Sequence, residues 1–217
     1  MYKAAICAIV KDEGRYIREW LAYHNAIGFE HFYIYDNEST DDTRQALEAA
    51  ARAGICTVST WENRAGGRAQ LDAYKDGLER CRGHAEWLLY LDADEFLNLK
   101  QHRSITAFLA NYEHADAVGI NWRMFGDGGE TVYRPGLLMD RFSLAAPEAF
   151  GANHLIKTIA KVTSILEPHI HTHKLRESAI FMSPEGVPLK HLPSARQDQV
   201  SWHIAQVNHY FTKTREE

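Results

Sequence analysis

The sequence predicts an α/β protein, a mostly parallel sheet with flanking helices followed by a less regular C-terminal part. Three observations carry this. Short apolar runs alternate with amphipathic segments and are joined by short polar turns, as in βαβ units with right-handed crossovers. The run Trp87-Leu88-Leu89-Tyr90-Leu91 is apolar throughout, as a strand covered on both faces must be. That run ends abruptly in Asp92, Asp94 and Glu95. Ligands of open α/β sheets bind outside the carboxyl ends of the strands, which is where these acids fall.

The elements follow in order. Residues 4–10 form a first buried strand, and Lys11-Asp12-Glu13-Gly14 places charge at its end or starts a helix, since acids favour helix N-termini. Ile17, Trp20, Leu21, His24 and Ile27 recur at three- and four-residue steps, which predicts a helix over 15–27 with Gly28 as C-cap. A strand over 32–35 ends in Asp36 and Asn37, and residues 39–43 supply N-capping groups for a helix that closes near Gly54. A third strand over 55–61, a polar turn over 63–67 and a helix over 68–81 precede the strand at 87. A helix over 105–112 and a strand over 117–122 come next.

Residues 126–136 and 145–153 have the composition of loops, either lids or plain connections. Beyond residue 150, strands are expected over 154–162 and 179–182. Seven of the twelve histidines lie in this part: His154, His169, His171, His173, His191, His203 and His209. Alternation would put His169, His171 and His173 on one strand face, either a zinc site lacking an identified fourth ligand or simply a polar strand. Residues 183–196, with Pro184, Gly186, Pro188 and Pro193, read as irregular, and 202–210 as ordered. The chain ends soon after that ordered segment, which suggests a natural protein continuing beyond Glu217.

Composition bounds the function. The 217 residues suit one domain, with 45% hydrophobic and 24% charged residues as in ordinary globular proteins. A net charge of −5 argues against a nucleic-acid partner and gives no support for a polybasic membrane anchor. No apolar run approaches the roughly 20 residues of a transmembrane helix, and no signal-peptide pattern opens the chain. Cys7, Cys56 and Cys81 read as buried small hydrophobes in a reducing compartment. Cytoplasmic location follows, with a peripheral position at the inner face of the membrane as the alternative. Neither a G-x-G-x-x-G nor a G-x-x-x-x-G-K-[ST] pattern is present, so a bound phosphate is held by something other than a glycine cradle. Asp92 and Asp94 suit a hard divalent cation that also touches phosphate oxygens. The competing reading is a solvated turn in which one of them caps the next helix.

Asp36, the Asp92-Ala93-Asp94 triplet and the late His209 together resemble the glycosyltransferase A fold. The chain is more closely similar to bacterial family-2-type glycosyltransferases that resemble glycosyltransferase family 92. Lys11-Asp12-Glu13 with Trp20, Tyr23-His24 and Gly28 resembles that family's K-N-E … W … Y-H … G opening. Tyr35 to Asp41 resembles Y-D-N-x-S-x-D, Gln70 with Ala73-Tyr74 resembles Q-x-x-A-Y, and Trp87 to Phe96 resembles the W … D-x-D-E-F block. Asn121-Trp122-Arg123-Met124-Phe125-Gly126 is similar to N-W-R-x-F-G, and Asn208-His209-Tyr210 with Lys213-Thr214 to N-H-Y … K-S. Asp12 replaces the usual Asn, and Thr214 the usual Ser.

The resemblance implies a single catalytic domain over 1–217, with 1–125 binding the donor and 126–217 forming the acceptor side. The donor would be a nucleotide-diphosphate sugar, UDP-sugar by first choice, with Mn²⁺ or Mg²⁺. The acceptor would be a saccharide or glycan, and transfer would invert the anomeric centre. Asp94 and His209 would ligate the metal, and Asp92 would join them through water or contact the ribose. Lys11, Glu13, Asp36, Asn37, Gln70 and Lys157 are the further donor-site candidates, although Gln70 could equally face water and Lys157 could be an exposed strand lysine. Inversion needs a general base. Glu95, Asp127, Glu130 and Glu148 are the acids in or near candidate site loops; Asp127 is preferred, and Glu95 adjoins the metal motif or anchors the loop through a buried hydrogen bond. A nucleotidyltransferase is the first alternative, but Lys11-Asp12-Glu13-Gly14 is not the glycine-rich basic loop expected of one. A non-catalytic nucleotide-binding domain is the second, and the intact Asp92–Asp94 pair argues against it.

Overall fold

Residues 1–190 and 194–217 are described by the computed structural model; His191 and Pro193 lie outside the described residues. The expected apolar runs form the centre of one sheet. Strand β1 (Tyr2–Val10) pairs in parallel with β2 (His31–Asp36) and β4 (Ala85–Tyr90), and β3 (Cys56–Thr60) extends the parallel side beyond β2. Helices α1 (Ile17–Ala26), α2 (Thr43–Arg52) and α3 (Ala69–Cys81) make the crossovers. The sheet order is β3-β2-β1-β4-β7-β6-β11-β5, with β10 (Phe181–Met182) on the side of β6. Here β5 is Glu95–Leu99, β6 Ala117–Met124, β7 Ile156–Lys161 and β11 Ala205–His209. β7 runs antiparallel to both β4 and β6, and β5 runs antiparallel to β11, so the C-terminal half is mixed.

Alternation along β1 divides its side chains between two cores. Ala4, Ile6, Ala8 and Val10 join Trp20, Leu21, Phe32 and Leu47 on the face covered by α1 and α2. Ala5 and Cys7 join Tyr35, Tyr74, Leu78 and Tyr90 on the face covered by α3. The second contact is close: a Cβ at Gly77 of α3 would lie 2.5 Å from Cys7 Sγ. All three cysteines are free and buried, as expected of small core residues. Among the described residues, no helix is long and apolar enough to cross a membrane.

The structure corrects several expectations. The acids at 92–95 run directly into β5, an edge strand whose first residue is Glu95, and not into a helix. The helix over 105–112 is shorter, α4 (Ile105–Leu109) followed by a 3₁₀ turn over Ala110–Tyr112. His169, His171 and His173 lie on the irregular connection between β8 (Ile165–Glu167) and β9 (Lys174–Leu175), so they do not share a strand face. His171 Nδ1 and His173 Nε2 instead meet the backbone carbonyls of Ile156 and Thr158, each at 3.2 Å. Five-residue helices and two-residue strands carry too few side chains for periodicity to reveal them.

The outer edge of β5 is closed by side chains of α1. Trp20 Nε1 donates to Glu95 O at 2.8 Å, and Tyr23 OH donates to Leu97 O at 3.0 Å. Leu97 N donates to His24 Nε2 at 3.2 Å, while His24 Nδ1 donates to Trp20 O at 2.9 Å. His24 must be neutral to accept at Nε2, and burial lowers its pKa from 6.5 to about 3, against the raising effect of the Trp20 carbonyl. Between those values the unfolded chain binds a proton that the folded chain does not, so stability falls as pH drops from about 6.5 towards 3. The expected slope from this residue is up to about 1.4 kcal/mol per pH unit. Urea midpoints measured from pH 7 to 4 check this: His24→Gln should be less stable at pH 7 but fall less steeply.

Candidate active site

The carboxyl ends of β1, β4 and β11 surround a pocket of about 300 Å³, lined by Lys11, Glu13, Asp92, Asp94, His209 and Phe211 among others. A cavity of about 360 Å³ lies elsewhere, against Asn121, Ile156 and residues between 183 and 201. It contains none of the expected site residues, so the chemistry points to the smaller pocket.

The turn between β4 and β5 is built by Glu95. Its backbone N donates to Asp92 O at 3.1 Å, and its carboxylate accepts Asp92 N at 2.9 Å. β11 then places His209 opposite Glu95 in register, and Tyr210 N donates to Asp94 O at 2.9 Å. Asp94 Oδ2 thereby comes 3.4 Å from His209 Nε2. Burial opposes charge on His209, but the Asp94 contact and the charges of Glu95, Asp94 and Asp92 raise its pKa above the usual value. Burial likewise opposes charge on Asp94, and the His209 hydrogen bond and charge outweigh it, so its pKa is lowered. The imidazole packs on Trp122 at 4.3 Å, and its Nδ1 is buried without a hydrogen-bond partner among the described residues. Packing therefore sets the orientation of the ring.

Asp92 is gripped from two sides. Oδ1 accepts from Gln70 Nε2 at 2.9 Å and from Tyr74 OH at 3.5 Å, and Oδ2 from Lys157 Nζ at 2.8 Å. Gln70 thus turns inward from α3 and does not face water. Lys157 is fully buried, which overturns the exposed-lysine alternative, and its ammonium also lies 3.0 Å from Glu95. Burial disfavours that charge, but Asp92 and Glu95 outweigh it and hold Lys157 protonated. One ammonium serves two carboxylates, so burial still pushes Glu95 up to about 7. Glu95 has 0% exposure and accepts Asp92 N, which matches the buried anchor, the second of its two expected parts. It anchors the turn.

Asp36 stands one strand further out, paired in register with Val10. Its Oδ1 accepts Ser39 N at 3.2 Å, which caps the turn after β2, and its Oδ2 lies 3.5 Å from Arg44. Asn37 Nδ2 donates to Trp61 O at 2.8 Å and ties the end of β2 to that of β3. Asp12 has φ +54°, a conformation open to Asp and Asn alike, so its replacement of the family's Asn is tolerated. Its carboxylate accepts Thr40 N at 2.6 Å and joins the loops after β1 and β2. Lys11 is exposed at the pocket rim, and Glu13, raised by burial against the lowering effect of Lys213, lies 3.7 Å from that lysine. Asp127 sits half-buried on the loop after β6, where Oδ1 accepts Gly129 N at 2.9 Å; it does not line the pocket.

Tyr74, Lys213 and Phe211 belong to this neighbourhood but were not singled out as site residues. Tyr74 lies one helical turn from Gln70, so spacing could have placed it on the same face. Lys213 stands in the segment that resembles N-H-Y … K-S, which could have drawn it in, and nothing in the sequence marks Phe211.

Two side-chain donors, Asp94 and His209, face the pocket at a separation compatible with one divalent cation. Among the described residues, no group of three or more His, Cys, Asp or Glu could hold a metal ion. A cation at this pair would draw its remaining ligands from a bound diphosphate and water, as Mg²⁺ commonly does.

The sheet, its crossovers and the acidic turn at the carboxyl ends define a glycosyltransferase A fold. TarS of S. aureus shares that fold, at 22% identity and a TM-score of 0.50 over 74% of this chain and 28% of that one. Residues 5–216 match Glycosyltransferase family 92, and the chain belongs to that family. A family 92 protein of Ricinus communis is 35% identical over 101 residues, 45% of this chain and 17% of that protein. A family 92 protein of Oryza sativa subsp. japonica is 28% identical over 135 residues, 60% of this chain and 22% of that protein. Galactan beta-1,4-galactosyltransferase GALS2 of Arabidopsis thaliana is 27% identical over 136 residues, 54% of this chain and 25% of that protein. The chain thus aligns with a quarter or less of the length of each of these relatives.

Removing Lys157 leaves Asp92 and the buried Glu95 without their cation. Lys157→Met is expected to cost about 3–5 kcal/mol of stability, the usual penalty for stranding a buried charge. Glu95→Gln, which keeps an acceptor for Asp92 N, should cost less than about 1.5 kcal/mol, the scale of a single hydrogen bond. Chemical denaturation of the two variants at pH 7 compares them.

Proposed function

We propose that this chain is a metal-assisted glycosyltransferase that moves a sugar from a nucleotide-diphosphate donor, UDP-sugar by first choice, to a saccharide or glycan acceptor. The observation that carries this is the Asp92-Ala93-Asp94 turn, set at the ends of parallel strands and facing His209 and Lys11 across one pocket. Membership of family 92 supports the reaction class, and the likeness to a galactan galactosyltransferase supports a polysaccharide acceptor.

In this reading the departing nucleoside diphosphate gathers charge on its phosphate oxygens. Mn²⁺ or Mg²⁺ held by Asp94 and His209 would supply stabilisation of that charge. Lys11 adds a positive charge at the rim, and Glu13, tied to Lys213, frames the same wall. Asp92 accepts a hydrogen bond from the donor's ribose, held in place by Gln70 and Lys157. Asp36 and Asn37 hold the nucleoside at the ends of β2 and β3. Transfer proceeds with inversion, a single displacement in which one base takes the acceptor's proton. Asp127, on the partly exposed loop after β6, is the base we assign, since Glu95 is enclosed.

Thermal shift against a panel of nucleoside diphosphates and their sugars, with and without Mn²⁺, tests the donor site. A ligand at a hundred times its Kd should add about 2.7 kcal/mol of stability. Absence of any shift with Mn²⁺ present would sink the reading. Asp94→Ala should abolish cation-dependent turnover while keeping the melting temperature within a few degrees, and His209→Ala should weaken apparent cation affinity about tenfold, the effect of losing roughly 1.4 kcal/mol. Full activity of either variant at limiting Mn²⁺ removes that residue from the ligand pair.

A further inference from the structure

Lys157 is a donor-site candidate whose surroundings do not match a part at the donor's phosphates. An ammonium meant to meet a phosphate should reach the pocket, yet this side chain has 0% exposure and points into the back of the turn. Its Nζ lies 2.8 Å from Asp92 Oδ2 and 3.0 Å from Glu95 Oε2, and that same Glu95 oxygen accepts Asp92 N at 2.9 Å. The three contacts close a ring through the side chain and backbone of Asp92. On the opposite side Gln70 takes Oδ1. The carboxylate is thus held by β7 and α3, and its backbone by β5. Its side chain remains 32% exposed, and a carboxylate has about four acceptor positions, so capacity is left for a ligand.

A buried ion pair is a poor device for stability alone, because well-packed apolar residues of equal volume do as well or better. The arrangement does solve an electrostatic problem. Asp92 and Asp94 stand two residues apart beside a pocket read as binding a polyanion, and like charges so close repel one another. A cation placed behind Asp92 offsets its charge without occupying the pocket. Asp94 is then left to face His209.

We propose that Lys157 and Glu95 are positioning residues, which hold the Asp92 carboxylate in one orientation so that it binds the donor's ribose and leaves the cation to Asp94 and His209. This rests on the donor-site reading above.

The test is calorimetric titration of UDP and GDP in the presence of Mn²⁺, with Mn²⁺ affinity measured separately by electron paramagnetic resonance without nucleotide. Lys157→Met/Glu95→Gln removes the ammonium but keeps the net charge of the trio and the acceptor for Asp92 N. It should melt near the wild-type temperature, bind nucleotide at least tenfold more weakly, raise donor KM more than it lowers kcat, and bind Mn²⁺ within threefold of wild type. Lys157→Gln/Glu95→Gln, which also keeps the net charge of the trio and adds a hydrogen-bond donor at the position, should lose at least fivefold in nucleotide affinity and serves if the first double variant does not fold. Glu95→Gln alone retains the ammonium and should stay within threefold. Wild-type nucleotide affinity in either folded Lys157 variant overturns the proposal, as does a loss of Mn²⁺ affinity equal to that of nucleotide. A wild-type protein that binds neither nucleotide overturns the donor-site reading itself, and the positioning role with it.

Discussion

The pocket depends on a set of hydrogen bonds that lies outside it. Trp20, Tyr23 and His24 of α1 reach the free edge of β5 and satisfy Glu95 O, Leu97 O and Leu97 N. An edge strand left bare invites pairing with other chains, and here one helix face covers it. The same contacts fix the height of β5 against the rest of the fold. β5 fixes β11, β11 carries His209 opposite Glu95, and the Asp94–His209 approach follows. Residues that never touch a ligand therefore set the distance between the two that would.

Two kinds of polar burial meet at this turn. His24 is buried neutral, its two nitrogens given to a carbonyl and an amide. Lys157 is buried charged, and it requires Asp92 and Glu95 to stay so. The first arrangement lends stability at neutral pH and withdraws it in acid. The second is costly wherever it occurs and is intelligible only through the carboxylate it restrains.

The parallel half of the sheet was legible because its strands are continuous apolar runs and its helices repeat at three and four residues. The acids at 92–95 and the charge at Lys11 and Glu13 were legible because strand ends are where open sheets bind. β5 was not, since Glu-Phe-Leu-Asn-Leu directly after an acidic turn has neither a turn residue nor a long apolar run to announce it. The exposed-strand alternative for Lys157 failed for a related reason: a lone lysine in a strand reads as solvent-facing unless its partners, here 65 and 62 residues away, are known. The three histidines at 169–173 failed as a strand face because alternation in sequence says nothing where the backbone bends.

β11 lies between β6 and the edge strand β5, so the last strand among the described residues is inserted between two neighbours that were synthesised long before. Until residues 205–209 arrive, β6 and β5 each present an open row of backbone donors and acceptors. Sheet closure and completion of the pocket are then one event, governed by contacts of large sequence separation, which form slowly. A nascent or clipped chain ending before this strand would carry two unpaired edges and no imidazole. It would be both inert and prone to self-association.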